Sequence, residues 1–156
     1  MTIKALLLSA AILMAPSWGP AEAVGKFEVY AWVSTAGPYG EIWELTLKSS
    51  DSVSIEVSYV GKAMGKITGE FIPMPKALDD LRKAIEVERF AELPKALHPK
   101  DIGFHRPDLR LTIVIDGRKH EASLYDPDEL KGDARSRRFL AVWHSAFALV
   151  PLSPKW

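Results

Sequence analysis

The chain contains no cysteine. That absence excludes a disulfide framework, thiol catalysis, thiolate-bound zinc and lipid attachment at a lipobox cysteine, so the protein is not expected to be a lipoprotein. Net charge is missing as well, since 20 basic residues face 20 acidic ones. Without an excess of either sign there is no general field to draw in nucleic acid, and no nucleic-acid partner is expected. Beyond residue 23 no apolar run is long enough to cross a bilayer, so no transmembrane anchor is expected. Internal repeats, low-complexity tracts and cofactor fingerprints are all lacking, and no cofactor is expected. Disorder is not indicated either, because a hydrophobic content of 47% is ordinary for a folded domain.

What is present begins at the N-terminus. Lys4 supplies a positive charge, Ala5 to Ala15 is an almost unbroken apolar run, and Ala21-Glu22-Ala23 places small residues where a signal peptidase reads them. Pro16 and Gly19-Pro20 would break a buried helix there. The expectation is a signal peptide over 1–23, cleaved after Ala23, and a periplasmic or secreted single domain over 24–156.

The mature segment reads as strands, a helix, a hairpin and a second helix. Phe27–Val33 alternates with period two, as a half-buried strand does. Gly37-Pro38-Tyr39-Gly40 is a turn, and Trp43, Leu45 and Leu47 share one face of a strand over Glu41–Lys48. Val53–Tyr59 forms the next strand after a polar turn, completing a meander. A glycine-spaced loop leads to a fourth strand near Lys66–Ile72, which Pro73 and Pro75 close. Pro75 suits a first helical turn, and Leu78, Leu81 and Ile85 mark the apolar face of a helix reaching about Val87. Residues Pro94–Asp108 show no period and read as a long loop, the first place to seek a site. Leu109–Ile115 and Arg118–Tyr125 flank Asp116-Gly117, a pair that supplies the positive φ of a tight hairpin. Asp133 caps a last helix from Ala134 to about Leu149, with Phe139, Val142, Trp143 and Ala146 on its buried stripe. The fold class that follows is α+β: an antiparallel sheet, meander plus Asp-Gly hairpin, with two helices packed on one face.

Several of these segments recur together elsewhere. Gly37-Pro38-Tyr39 followed by Ile42–Leu47, the Ser52–Gly61 stretch, Phe90-Ala91-Glu92-Leu93 and the Asp116-Gly117 hairpin stand in that order. In this, residues 37–130 resemble a family of small exported bacterial domains of unknown function. Members of that family often carry cysteines just before the first matching strand, and this chain has none. The resemblance therefore implies a fold but no activity.

The chemistry-bearing residues divide into four groups. His98, Asp101, His105 and Asp108 crowd one loop, and imidazole with carboxylate is a set that zinc or manganese accepts, although the spacing fits no metal motif. His120 stands between charged neighbours on a hairpin strand, where exposure is expected; His144 beside Trp143 reads as a partly buried structural histidine. Arg135, Arg137 and Arg138 open the last helix, the end where cations are disfavoured. Either nearby acids neutralise them, or they face an acidic partner. Tyr30 and Trp32 lie on the face of the first strand opposite Phe27 and Val29, as anchors for a partner or beneath a second layer.

Two further chemistries fail on spacing. Gly61–Thr68 has too few residues between its glycines for a phosphate loop, and Ile67 separates Lys66 from Thr68. There is no Gly-x-Ser-x-Gly elbow, and Ser145 points about 100° away from adjacent His144 on a helix. The reading left is an exported non-catalytic binding module, of inhibitor or immunity type, that docks on another envelope protein with Tyr30, Trp32, Arg135, Arg137 and Arg138 as its handles. The alternative is a small metal-dependent envelope hydrolase built on His98, Asp101, His105 and Asp108.

Overall fold

The alternation in Phe27–Val33 places four apolar side chains on one side of a strand, and the rest of the molecule is organised around them. A computed structural model describes residues 27–35, 40–48, 52–59, 66–152 and 154. The signal segment, the Gly37–Tyr39 turn, the 49–51 turn and the 60–65 loop expected from the sequence lie outside these residues.

Among the described residues the strands are β1 (Phe27–Ser34), β2 (Glu41–Leu47), β3 (Val53–Tyr59), β4 (Lys66–Phe71), β5 (Ala96–Leu97), β6 (Asp108–Ile115) and β7 (Arg118–Tyr125). They form one sheet in the order β4-β3-β2-β1-β6-β7-β5, antiparallel throughout except where β5 runs parallel to β7. The helices α1 (Pro75–Val87) and α2 (Ala134–Phe147) pack against one face, which gives the α+β architecture expected from the element order. No helix among the described residues is long and apolar enough to cross a membrane.

Register explains why one face is dry. Ala31 lies between Leu45 of β2 and Leu111 of β6, and Val33 lies between Trp43 and Leu109. Each strand's apolar set thus meets its neighbours' apolar sets on the helix side, because side chains alternate across a strand. The core is one cluster, closed from above by Leu78, Leu81 and Ile85 of α1 and by Phe139, Val142, Trp143 and Phe147 of α2. The β6–β7 turn has φ of 51° at Asp116 and 76° at Gly117, the paired positive values of a two-residue hairpin turn.

Helix α1 starts on Pro75, whose missing N–H would have had no intrahelical partner, and Met74 offers no side-chain cap. Its end is less ordinary. Arg89 adopts a left-handed conformation without being glycine, and Phe90–Glu92 continues as a 3₁₀ turn. The carbonyls released there are taken by α2: Arg138 donates from Nε to Glu88 O at 2.7 Å and from Nη2 to Arg89 O at 2.9 Å. A planar cation thus satisfies two acceptors at the negative end of a helix dipole. Replacing Arg138 by alanine is expected to lower stability by about 1–2 kcal/mol, in the range of hydrogen bonds made by a charged donor. Lysine should recover less than half of this loss, because it offers a point charge instead of a fork. The midpoint of urea denaturation measures both.

The span from Pro94 to Asp108 is not wholly irregular. Ala96 and Leu97 form β5 against Ser123 and Leu124 of β7, and Leu97 is buried. Two residues are too few to show a period, and their partner is distant in sequence, so nothing local announces the strand. Helix α2 ends two residues before the expected limit, at Phe147, and Leu149 and Val150 close it with turn hydrogen bonds to Ala146 O and Phe147 O.

Candidate functional site

The face of the sheet opposite the helices carries the outward half of every alternating strand. At its centre Trp32 has Glu44 of β2 and Arg110 of β6 as cross-strand neighbours. The Arg110 guanidinium lies 4.7 Å from the centroid of the Trp32 ring. It is fixed there by Asp108, two residues away on the same face, whose Oδ2 accepts from Nη2 at 2.7 Å and from Nε at 3.2 Å. Carboxylate, guanidinium and indole form a stacked series that holds the aromatic ring in place. Tyr30 is one pleat along and 41% exposed, and its hydroxyl donates to Glu28 Oε2 at 2.9 Å. That bond, with the negative charge behind it, holds the Tyr30 phenol above the ordinary tyrosine pKa.

One wall beside this surface is made by the segment between β5 and β6. The Tyr125 hydroxyl donates to Gly103 O, Asp126 N–H donates to Pro107 O at 2.9 Å, and Arg106 Nε reaches the buried Asp126 carboxylate at 3.3 Å. Pinned at these points, the segment leaves Ile102 and Phe104 exposed, the latter at 89%. Between it and the sheet is a groove of about 530 Å³ whose lining includes His98, Ile102, Arg110, Glu121, Ser123 and Tyr125. Lys119 pairs with Glu121 and holds its carboxyl below the usual range. The groove thus offers a cation, carboxylates, hydroxyls and an apolar rim on a rigid floor.

The structure brings together part of what the sequence singled out. His98 and Asp108 border the same groove, beside the surface that carries Trp32. The four loop residues His98, Asp101, His105 and Asp108 do not converge. Asp108 is engaged by Arg110, and His98 Nδ1 lies 3.1 Å from its neighbour's carbonyl, Pro99 O. Among the described residues no group of three or more histidines and carboxylates is placed to hold a metal ion.

The arginine cluster belongs to the helix layer, on the other side of the sheet from Trp32, and each of its members has a local partner. Arg135 pairs with Asp133 at 2.6 Å, Arg137 donates to Gly132 O at 3.1 Å, and Arg138 holds the end of α1. Asp133 also caps α2 by accepting from Arg135 N–H at 2.7 Å. These bonds draw its pKa down from 3.8 to about 2. A carboxyl depressed in the folded state stabilises the fold above its unfolded pKa and loses that contribution as pH falls through the folded value. The melting-temperature gap between the native protein and Asp133→Asn should therefore be full above pH 4 and shrink towards pH 2. A gap independent of pH would contradict the cap.

Two histidine expectations need correction. His120 is half-buried, because its partner in the register is Ile113 and both point to the helix side. His144 is exposed, not partly buried: it follows Trp143 by one residue, and a helix turns that step away from the buried stripe. Sequence reasoning missed Arg110 and Tyr125. The Asp108–Arg110 spacing was readable, but the approach of Arg110 to Trp32 depends on the distant β1–β6 pairing.

A second concavity, of about 590 Å³, lies between α1, the 3₁₀ turn and the hairpin end. Phe27, Ile85, Phe90 and Ile115 line it, with Arg82, Arg89 and His120 among its polar groups. The Arg82 guanidinium sits 5.3 Å from the Phe27 ring centroid. Compared with known proteins, the chain matches no protein-family model and no curated sequence.

Proposed function

We propose that the chain is an exported, non-catalytic binding module that docks on another protein of the cell envelope, in the manner of an inhibitor or immunity protein, through the open face of its sheet. The observation that supports this reading is the central aromatic pair: exposed Tyr30 and half-buried Trp32 stand on the face opposite the helices, with Arg110 stacked on the indole beside a mixed polar groove. Tyrosine, tryptophan and arginine are the side chains that most often anchor protein interfaces, and here the sheet holds all three rigid. The signal-like N-terminus is what supports an envelope location. The reading places docking on the face that carries Trp32 and so does not use the arginines opening α2, which have partners of their own in the helix layer. Alanine at Tyr30 and Trp32 together should abolish capture of the partner while the chain stays folded; undiminished capture would remove the open face from the account.

A further inference from the structure

The two edges of the sheet are unequal. β5 is two residues long, whereas β4 presents a six-residue edge, Lys66–Phe71, with β3 on one side and no strand on the other among the described residues. An edge of this length offers unpaired N–H and C=O groups, and protein chains commonly blunt such edges with proline, bulges or inward-facing charges. Here Pro73 stands outside the strand, and Lys66 and Glu70 point to the open face, where Lys66 Nζ also pairs with Glu56 of β3 at 2.7 Å and so bridges that carboxylate to any acid set opposite it. Large apolar side chains are exposed along and just beyond the edge: Ile67 is 49% exposed, Ile72 91% and Met74 74%.

The sequence of β4 is complementary to itself. Antiparallel pairing of two copies about a twofold axis at Thr68 sets Lys66 opposite Glu70 of the other copy, twice, on the open face. On the helix face the same register sets Ile67 opposite Gly69. Gly69 itself has no side chain to meet Ile67 there, and the Phe71 ring folds over it instead, 2.9 Å from where a Cβ would stand. The incoming Ile67 would lie against that ring. Opposite charges directly across a pair and an apolar contact on the other face both favour this register over its neighbours, since a one-residue slip turns every side chain to the wrong face.

We propose that β4 is a homodimerisation edge, and that two copies of the chain pair through it into one continuous fourteen-stranded sheet. The interface is isologous, as a twofold contact requires. It leaves both open faces on the same side, with the two β1 strands about 34 Å apart at ordinary strand spacing. This proposal stands independently of what the open face binds.

The test is sedimentation of the purified protein across a concentration series, with two charge reversals. A single strand pair is a small interface, so the native protein should dimerise with a dissociation constant on the order of 10 µM. Glu70→Lys and Lys66→Glu each set like charges across both pairs and should weaken self-association about tenfold or more, with circular dichroism unchanged. Mixed in equal amounts, the two variants regain opposite charges at both positions and should form a heterodimer close to native affinity. Thr68→Cys, in a chain without other cysteines, should cross-link to a dimer under mild oxidation. A native protein that stays monomeric at 200 µM, or a dimer indifferent to the reversals and unrescued by mixing, would overturn the proposal.

Discussion

Replacing Trp143 by alanine is expected to cost about 3–5 kcal/mol, the range for removing a large aromatic from a packed core. Trp143 is fully buried in the middle of the α2 stripe. Its ring lies 6.0 Å from that of Phe139 at an interplanar angle of 16°, and 4.7 Å from that of Phe147 at 40°. Truncation would remove the middle of this aromatic series and leave a cavity that two neighbouring helical residues cannot close without moving the backbone. Because domains of this size are stable by only about 5–15 kcal/mol, the loss takes a large share of the total. Phenylalanine retains the packing with most of the ring area, and Trp143→Phe should lose less than half as much. Alanine at exposed Val87 should change stability by less than about 0.5 kcal/mol. Guanidinium denaturation of the three variants separates these values, and a loss under 1 kcal/mol for Trp143→Ala would contradict the packing of α2 on the sheet.

The second large effect concerns binding. Alanine at both Tyr30 and Trp32 should weaken partner binding by at least about 100-fold, since anchor residues at interface centres are commonly worth 2 kcal/mol or more each. Stability should fall by only about 1–2 kcal/mol, because cross-strand contacts on a solvated face are modest. Arg110→Ala removes the cation that rests on the indole while leaving both aromatics in place. It should weaken binding by roughly tenfold through the lost positioning of Trp32, together with any contact Arg110 itself makes. The combination matters: binding lost with the fold retained assigns the aromatics to the surface, whereas a parallel collapse of both would make them structural.

How much of this was legible in the sequence depended on whether the decisive contact was local. The alternation of Phe27, Val29, Ala31 and Val33 defines β1 by itself, Asp116-Gly117 defines its turn by backbone preference, and Leu78, Leu81 and Ile85 define α1 by spacing. The helix-bearing face follows from these patterns alone. Strand β5 did not, because its two residues gain their identity only from β7. Arg138 was read as part of a cluster at the start of α2; its actual role is set by Glu88 and Arg89, some fifty residues earlier, brought near by helix packing. His120 was assigned to the surface from its charged neighbours in sequence, whereas pleat parity with Ala122 and Leu124 sets it on the covered side. For the candidate site, Tyr30 and Trp32 were visible as apolar groups on the wrong face of a strand. The stacking of Arg110 on Trp32 was not, since it requires knowing that β6, the sixth strand, lies beside the first.

The most direct test of the docking account is capture of envelope proteins on three immobilised forms of the chain. These are the native sequence, the Tyr30→Ala/Trp32→Ala double variant, and Glu86→Lys, which reverses a charge at the α1 cleft and leaves the open face untouched. The account predicts that the native form and Glu86→Lys retain the same single protein in stoichiometric amount, and that the double variant retains none. Equal retention by all three, or no protein retained by the native form, would contradict it.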